Sequence, residues 1–142
     1  MNTHTKAFEM QDRKAILSTL WIFLTANYIY CDVLAHMEST TLRELITGTI
    51  GSIQVTQGFL LTAAIMMEIP FAMILLARVL TYRASRWANI IAGAIMAVIQ
   101  VGTMGMGTAP TLHYLFYSAI EIACALFVVW YAWTWHTPEA QP

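Results

Sequence analysis

Apolar residues run along the chain in four long blocks separated by short polar breaks. The blocks cover about 15–37, 53–80, 87–107 and 112–135, and each reaches the roughly 20 residues that a helix needs to cross a bilayer. The breaks carry turn chemistry: Gly48 and Gly51, the polar run TYRASR at 81–86, and GMGTAP at 105–110. The pattern predicts an all-α fold, an integral membrane four-helix bundle forming a single transmembrane domain over 1–142. Only the connection 38–52 has a pattern of its own. Thr41-Leu42-Arg43-Glu44 has capping-box spacing ahead of Leu45 and Ile46. A short amphipathic helix is therefore expected over 40–47, in the first outer loop, covering the mouth of the bundle. Lys6, Arg13 and Lys14 precede the first block as they would in a signal peptide. That block, however, exceeds the about 7–15 residues of a signal's apolar core and carries Asn27, Tyr28, Tyr30 and Asp32, so it reads as a retained helix.

Composition narrows the class further. Of 142 residues, 58% are hydrophobic and 11% charged, whereas soluble domains average about 25% charged. Seven basic and eight acidic residues cannot clothe a soluble monomer of this size, and disorder needs the opposite balance. A formal net charge of −1 offers no basic field for nucleic acid. Six of the seven basic residues, Lys6, Arg13, Lys14, Arg78, Arg83 and Arg86, fall on one side of the four spans, which places both termini in the cytoplasm. Tyr82, Trp87, Trp130, Tyr131, Trp133 and Trp135 reach the same interface as an aromatic belt.

Polar groups inside the apolar blocks carry the candidate chemistry. A charge near the bilayer centre costs about 2.5–3.5 kcal/mol on an insertion scale, and Glu68 and Glu121 both fall mid-span. Helical spacing groups further polar residues with them. In the last block His113, Tyr117, Glu121 and Cys124 follow on one face, and in the first Thr25, Tyr28, Asp32 and His36 do the same. The third brings Asn89, Gly93, Met96, Gln100 and Thr103; the second brings Gln54, Gln57, Leu61, Ala64, Glu68 and Ala72. A four-helix bundle can turn all four stripes to its centre. At about 1.5 Å per residue, Asp32, His36, Gln57, His113 and Tyr114 lie in the outer third, Gln100 and Glu121 near the middle, and Glu68 at or just below it. This grading predicts a polar cavity with the two glutamates at its floor. Asp32, Glu68 and Glu121 are the candidate catalytic groups. Tyr28, Gln57, Gln100, His113 and Tyr117 are the candidate ligand-binding residues.

Other features read as structure. Ser18 and Asn89 suit interhelical hydrogen bonds, and the pairs Gly93/Ala97 and Ala119/Ala123 suit packing notches. Pro70 removes a backbone donor two residues after Glu68, so a bend is expected there. Cys31 and Cys124 lack CxxC spacing and differ in depth by about 10 Å on the helical rise, which argues against a bond between them. The nine methionines form no copper-type cluster, and His36 and His113 sit too near the mouth for a paired haem. No metal or cofactor is expected.

The segments WIFLTANYIYCDVL, Gly51 to Met73 (GSIQVTQGFLLTAAIMMEIPFAM), YRASRWANIIAG and YSAIEIA resemble a family of small uncharacterised bacterial four-helix membrane proteins across residues 16–135. That resemblance implies the bacterial cytoplasmic membrane and brings no activity with it. Asp32, Glu68-Ile69-Pro70-Phe71 and Arg86-Trp87 are also similar, in order, to motifs of the superfamily of emopamil-binding protein and the sigma-2 receptor. There, paired acids hold a cationic amine or stabilise a sterol carbocation in a lipid-accessible cavity; the likeness leaves Glu121 unexplained and is an analogy of fold.

Three functions are compatible with these residues. The first is a bundle that binds a small apolar or cationic ligand, with carboxyl-mediated proton transfer as its chemistry if it is a catalyst. The second is a proton-coupled transporter, which needs a homodimer because four helices are few for a closed path. The third is an accessory membrane subunit without a ligand of its own. The partners expected are the lipid bilayer and the small ligand.

Overall fold

A backbone in lipid must satisfy its own hydrogen bonds, so apolar blocks of this length become helices. The computed structural model describes residues 3–105 and 110–135, with five helices: α1 (Thr3–Met37), α2 (Ser39–Ile46), α3 (Gln57–Val79), α4 (Tyr82–Thr103) and α5 (Leu112–Trp133). Stretches of α1, α3, α4 and α5 are long and apolar enough to cross a membrane, as expected of a membrane protein. Around the bundle the order is α1, α3, α4, α5, each packed on the next and α5 closing on α1.

The element boundaries differ from the sequence expectation in instructive ways. α1 begins at Thr3, well before the apolar run, because the residues leading to Ala15 include good helix formers that need no burial. The polar run 81–86 is mostly helix rather than a break; only Leu80 and Thr81 separate α3 from α4. The expected break at 105–110 falls largely on 106–109, outside the described residues. Residues 53–54 are not part of α3. They pair with Thr49–Ile50 as a two-stranded antiparallel hairpin, β1 (Thr49–Ile50) and β2 (Ile53–Gln54), with Gly51 and Ser52 as its loop. Gly51 has φ +57°, at the first central position, where a type II′ turn favours glycine.

α2 is capped differently from the Thr41–Glu44 box. Glu38 is the N-cap residue: its carboxylate accepts from the Thr40 and Thr41 amides at 3.1 and 2.8 Å and from the Thr41 hydroxyl at 2.8 Å. These bonds hold the Glu38 carboxyl down at about 2, the Thr41 amide contributing most. Glu44 instead reaches the Gly51 amide at 2.9 Å, tying α2 to the hairpin.

The packed faces repeat in steps of three and four. α1 buries Leu17, Trp21, Leu24, Tyr28 and Cys31; α4 buries Ser85, Asn89, Ala92 and Met96; α5 buries Ser118, Glu121, Ala125, Val128 and Ala132. Such a 3.5-residue repeat is the seam of a left-handed helix pair. α4 and α5 approach closely at Gly93, where an added Cβ would meet Val129 Cγ2 at 2.8 Å and the Ala125 carbonyl oxygen at 3.1 Å. Ala97 is buried beside it, but Ala119 and Ala123 are exposed and form no notch within the chain. α3 runs through Pro70 as one helix and buries Pro70, Met73 and Ala77.

Candidate functional site

Two sets of buried polar groups lie along these seams. The first occupies the end where α1 meets the α3–α4 joint. Trp21 Nε1 donates to Asn89 Oδ1 at 2.7 Å, and Asn89 Nδ2 donates to the Ser85 carbonyl at 2.7 Å. Ser85 Oγ donates to the Ala77 carbonyl at 3.2 Å. Ser18 Oγ donates to the Ile74 carbonyl at 2.8 Å while accepting from Arg78 Nε at 3.1 Å. Lys14 Nζ closes the end of α3 by donating to the Leu80 carbonyl, and Tyr82 OH donates to the Trp135 carbonyl at 2.6 Å. Arg13 has a buried Nη1 without a hydrogen-bond partner among the described residues, but its guanidinium sits 5.0 Å from the Tyr131 ring centre. The aromatic belt divides here: Trp87, Trp130 and Trp133 are exposed, while Trp135 is buried with its ring edge-on to Tyr82. This ladder binds helix to helix.

The second set lies between α1, α4 and α5, around Glu121. Glu121 falls nine residues from Leu112, and Tyr28 falls nine residues from Met37, so both sit about 13 Å inward from the same end of the bundle on the helical rise. Glu121 is 1% exposed, yet neither carboxyl oxygen has a hydrogen-bond partner among the described residues, and the Tyr28 hydroxyl has none either. Asp32, Cys31 and Tyr28 lie within electrostatic reach of the Glu121 carboxyl. Nearby polar groups are paired elsewhere: Gln100 Nε2 donates to Ser118 Oγ at 2.8 Å, and Tyr114 OH donates to Thr103 Oγ1 at 3.0 Å. A buried polar group without a partner costs about 1–3 kcal/mol, more when charged. Glu121 and Tyr28 are thus two neighbouring buried polar residues whose side-chain oxygens have no hydrogen-bond partner among the described residues.

The profile of a family of unknown function, DUF6326, matches residues 5–141. The chain belongs to this family. No match was found among curated proteins or among solved structures.

Within this DUF6326 chain the expected site residues separate into three groups. Tyr28 and Glu121 are buried within electrostatic reach of each other, and Gln100 is buried with its amide on Ser118, three residues before Glu121. Asp32 is exposed beside it, and the ring nitrogen Nδ1 of His36 donates to the Asp32 backbone carbonyl. Tyr117 is half-buried and packs against Tyr30 of α1, ring centres 6.3 Å apart, and against Phe116. His113 is half-buried against Thr111.

Gln57 and Glu68 are not brought to this centre. The expectation that all four helices turn their polar stripe inward fails at α3: Gln54, Gln57, Leu61, Ala64 and Glu68 are all exposed. Glu68 lies on the face opposite Pro70, Met73 and Ala77, because five residues (to Met73) and nine residues (to Ala77) of a 3.6-residue helix separate the two faces by roughly half a turn. The two glutamates therefore do not share a floor. The acid pair implied by the emopamil-binding likeness also loses its geometry, since Glu68 of Glu68-Ile69-Pro70-Phe71 points away from α1. Ser118 and Cys31 were missed as neighbours of the site. Ser118 stands three residues before Glu121 and seven after Thr111, on a 3.5-residue seam that a search for polar residues at four-residue steps passes over. Among the described residues, no three His, Cys, Asp or Glu side chains gather to hold a metal ion.

Proposed function

We propose that this protein binds a small apolar or cationic ligand inside the membrane, with Glu121 as the group that meets its charge or its donors. The supporting observation is the pair of Glu121 oxygens, 1% exposed as a residue and unbonded among the described residues, beside the equally unbonded Tyr28 hydroxyl. A ligand carrying an ammonium, or an N–H or O–H group, would bond both and relieve the desolvation of each. The apolar surroundings of α1 and α5 would take its hydrocarbon part. Asp32, exposed at the rim, supplies a second acid for attraction at entry, or for proton transfer if the ligand is turned over.

The setting we infer is the cytoplasmic membrane of a bacterium, with both termini in the cytoplasm and α2 lying along the outer surface. The crowding of Lys14, Arg78, Arg83 and Arg86 at the end of the bundle opposite α2 supports that orientation.

Native mass spectrometry of the protein released from lipid nanodiscs tests the reading. Wild type is expected to carry an additional small mass that is lost in Glu121→Gln and reduced in Tyr28→Phe. A bare wild-type chain, or a mass retained unchanged by Glu121→Gln, would overturn it. A second reading draws on the staging of the acids, Asp32 exposed near the end of α1 and Glu121 buried mid-helix: a proton-coupled transporter passing charge between them. Reconstituted vesicles with an internal pH dye separate the two readings, because binding alone moves no protons.

A further inference from the structure

α3 is the least embedded of the four long helices: 11% of its most apolar stretch is buried, against 39% in α1 and α4. Its outward face is nevertheless ordered. Gln57, Leu61, Ala64, Glu68, Phe71 and Leu75 follow in steps of 4, 3, 4, 3 and 4, and every one is exposed. α3 thus carries one seam filled by its neighbours and a second left open; the exposed faces of α1, α4 and α5 repeat in the same steps, and what sets this one apart is a carboxyl midway along it. Glu68 stands at the middle of that second seam, eleven residues from each end of α3. A carboxyl there faces hydrocarbon in the isolated chain, a costly position that calls for a polar partner at the same depth.

We propose that the open seam of α3 joins two copies of this chain, with Glu68 of each copy hydrogen-bonded to Glu68 of the other. Copies inserted the same way round hold Glu68 at one depth, and a two-fold axis along the membrane normal brings equal seams together. A carboxyl can donate through its hydroxyl and accept through its carbonyl, so the side chain is complementary to itself. Ala64, one step along the seam, lets the backbones approach. Leu61, 63% exposed, and Leu75, 68% exposed, are covered on either side. A single polar residue in such a seam sets register and number of strands. This interface is independent of the Glu121 centre, which lies on the other side of the bundle.

Energy transfer between labelled full-length chains in phosphatidylethanolamine–phosphatidylglycerol vesicles, followed as protein is diluted in lipid, tests the proposal. Wild type is expected to dimerise. Ala64→Trp and Glu68→Leu should weaken it by about tenfold or more. Glu68→Gln, which keeps a donor and an acceptor, and Val98→Trp, on the exposed face of α4, should leave it unchanged. A second measurement does not depend on those variants folding. In a Cys31→Ala/Cys124→Ala background that keeps Glu68, single cysteines moved along 60–76 should cross-link best at 61, 64, 71 and 75. A monomeric wild type, equal dimerisation of Ala64→Trp and Glu68→Leu with wild type, or cross-links peaking on another face would each overturn the proposal. So would association of Glu68 only in native membranes and not in vesicles of the purified chain, which would assign the seam to a different protein.

Discussion

The buried polar groups near the α3–α4 joint and those around Glu121 come from the same helices and the same residue classes, yet they end differently. Near the joint, Trp21, Asn89, Ser85 and Ser18 hand hydrogen bonds from helix to helix. Around Glu121, two strong polar groups are buried without a hydrogen-bond partner among the described residues. In lipid the hydrophobic effect does little to hold helices together, so satisfied polar contacts and close packing do that work. The ladder is therefore what a structural role looks like in this molecule, and it supplies the standard by which the Glu121 centre stands out. The difference does not depend on residue type: an acid stands out no more than an asparagine until its partners are counted.

The largest effect is expected where the two regions share a foundation. Gly93→Leu forces α4 away from Val129 and the Ala125 carbonyl, so stability should fall by about 1–3 kcal/mol or more. Retention of the proposed ligand should fail with it; stability is measured by unfolding in mixed micelles and retention by native mass spectrometry. If Gly93→Leu unfolds the ladder and leaves retention intact, the two regions are less coupled than their common helices imply.

Glu121→Met and Asn89→Leu should then move stability in opposite directions. Removing the unpaired carboxyl should raise it by about 1–3 kcal/mol. Removing Asn89, which strands Trp21 Nε1, should lower it by about 1–2 kcal/mol. Both are read from the same micelle unfolding curves. A loss in both variants would break the comparison, because Glu121 would then be one more structural rung.

The smallest effect lies outside both regions. The Glu38 carboxyl is held below its ordinary value of 4.5 by the Thr41 and Thr40 amides. A group with a depressed folded value stabilises the fold fully above its unfolded value and loses that contribution as pH falls through the folded one. Protection of the α2 amides from hydrogen exchange, corrected for intrinsic rate, should therefore hold above about pH 4.5 and decline towards pH 2. Glu38→Ala should remove that pH dependence and leave the ladder and the Glu121 centre untouched.

Much of this was legible in the residues. The spans followed from block length, and the inward face of α4, with Asn89, Gly93, Met96 and Gln100, followed from the helical spacing of those residues. Tyr28 and Glu121 were found as polar groups at helical spacing in apolar blocks. The hairpin was missed although Gly51-Ser52 between Ile50 and Ile53 is a two-residue turn signal; counting hydrophobicity alone left its first strand in the outer loop and absorbed its second, Ile53–Gln54, into the following span. The Glu38 cap was missed because Thr41 and Glu44 offered the more familiar spacing.

The amino-acid sequence alone determined that four helices form and that two acids lie near their middles, because length and hydropathy act locally. Tertiary packing decided which acid is buried. α3 carries two faces with helical repeats, and only its neighbours could choose between them: α1 and α4 accept Pro70, Met73 and Ala77, which leaves Leu61, Glu68 and Leu75 outside. On α5 the same choice turned Glu121 inward, onto the face that continues through Ala125 and Val128. Rotation of a helix about its own axis depends on the shapes it meets, and those shapes belong to residues far away in the chain.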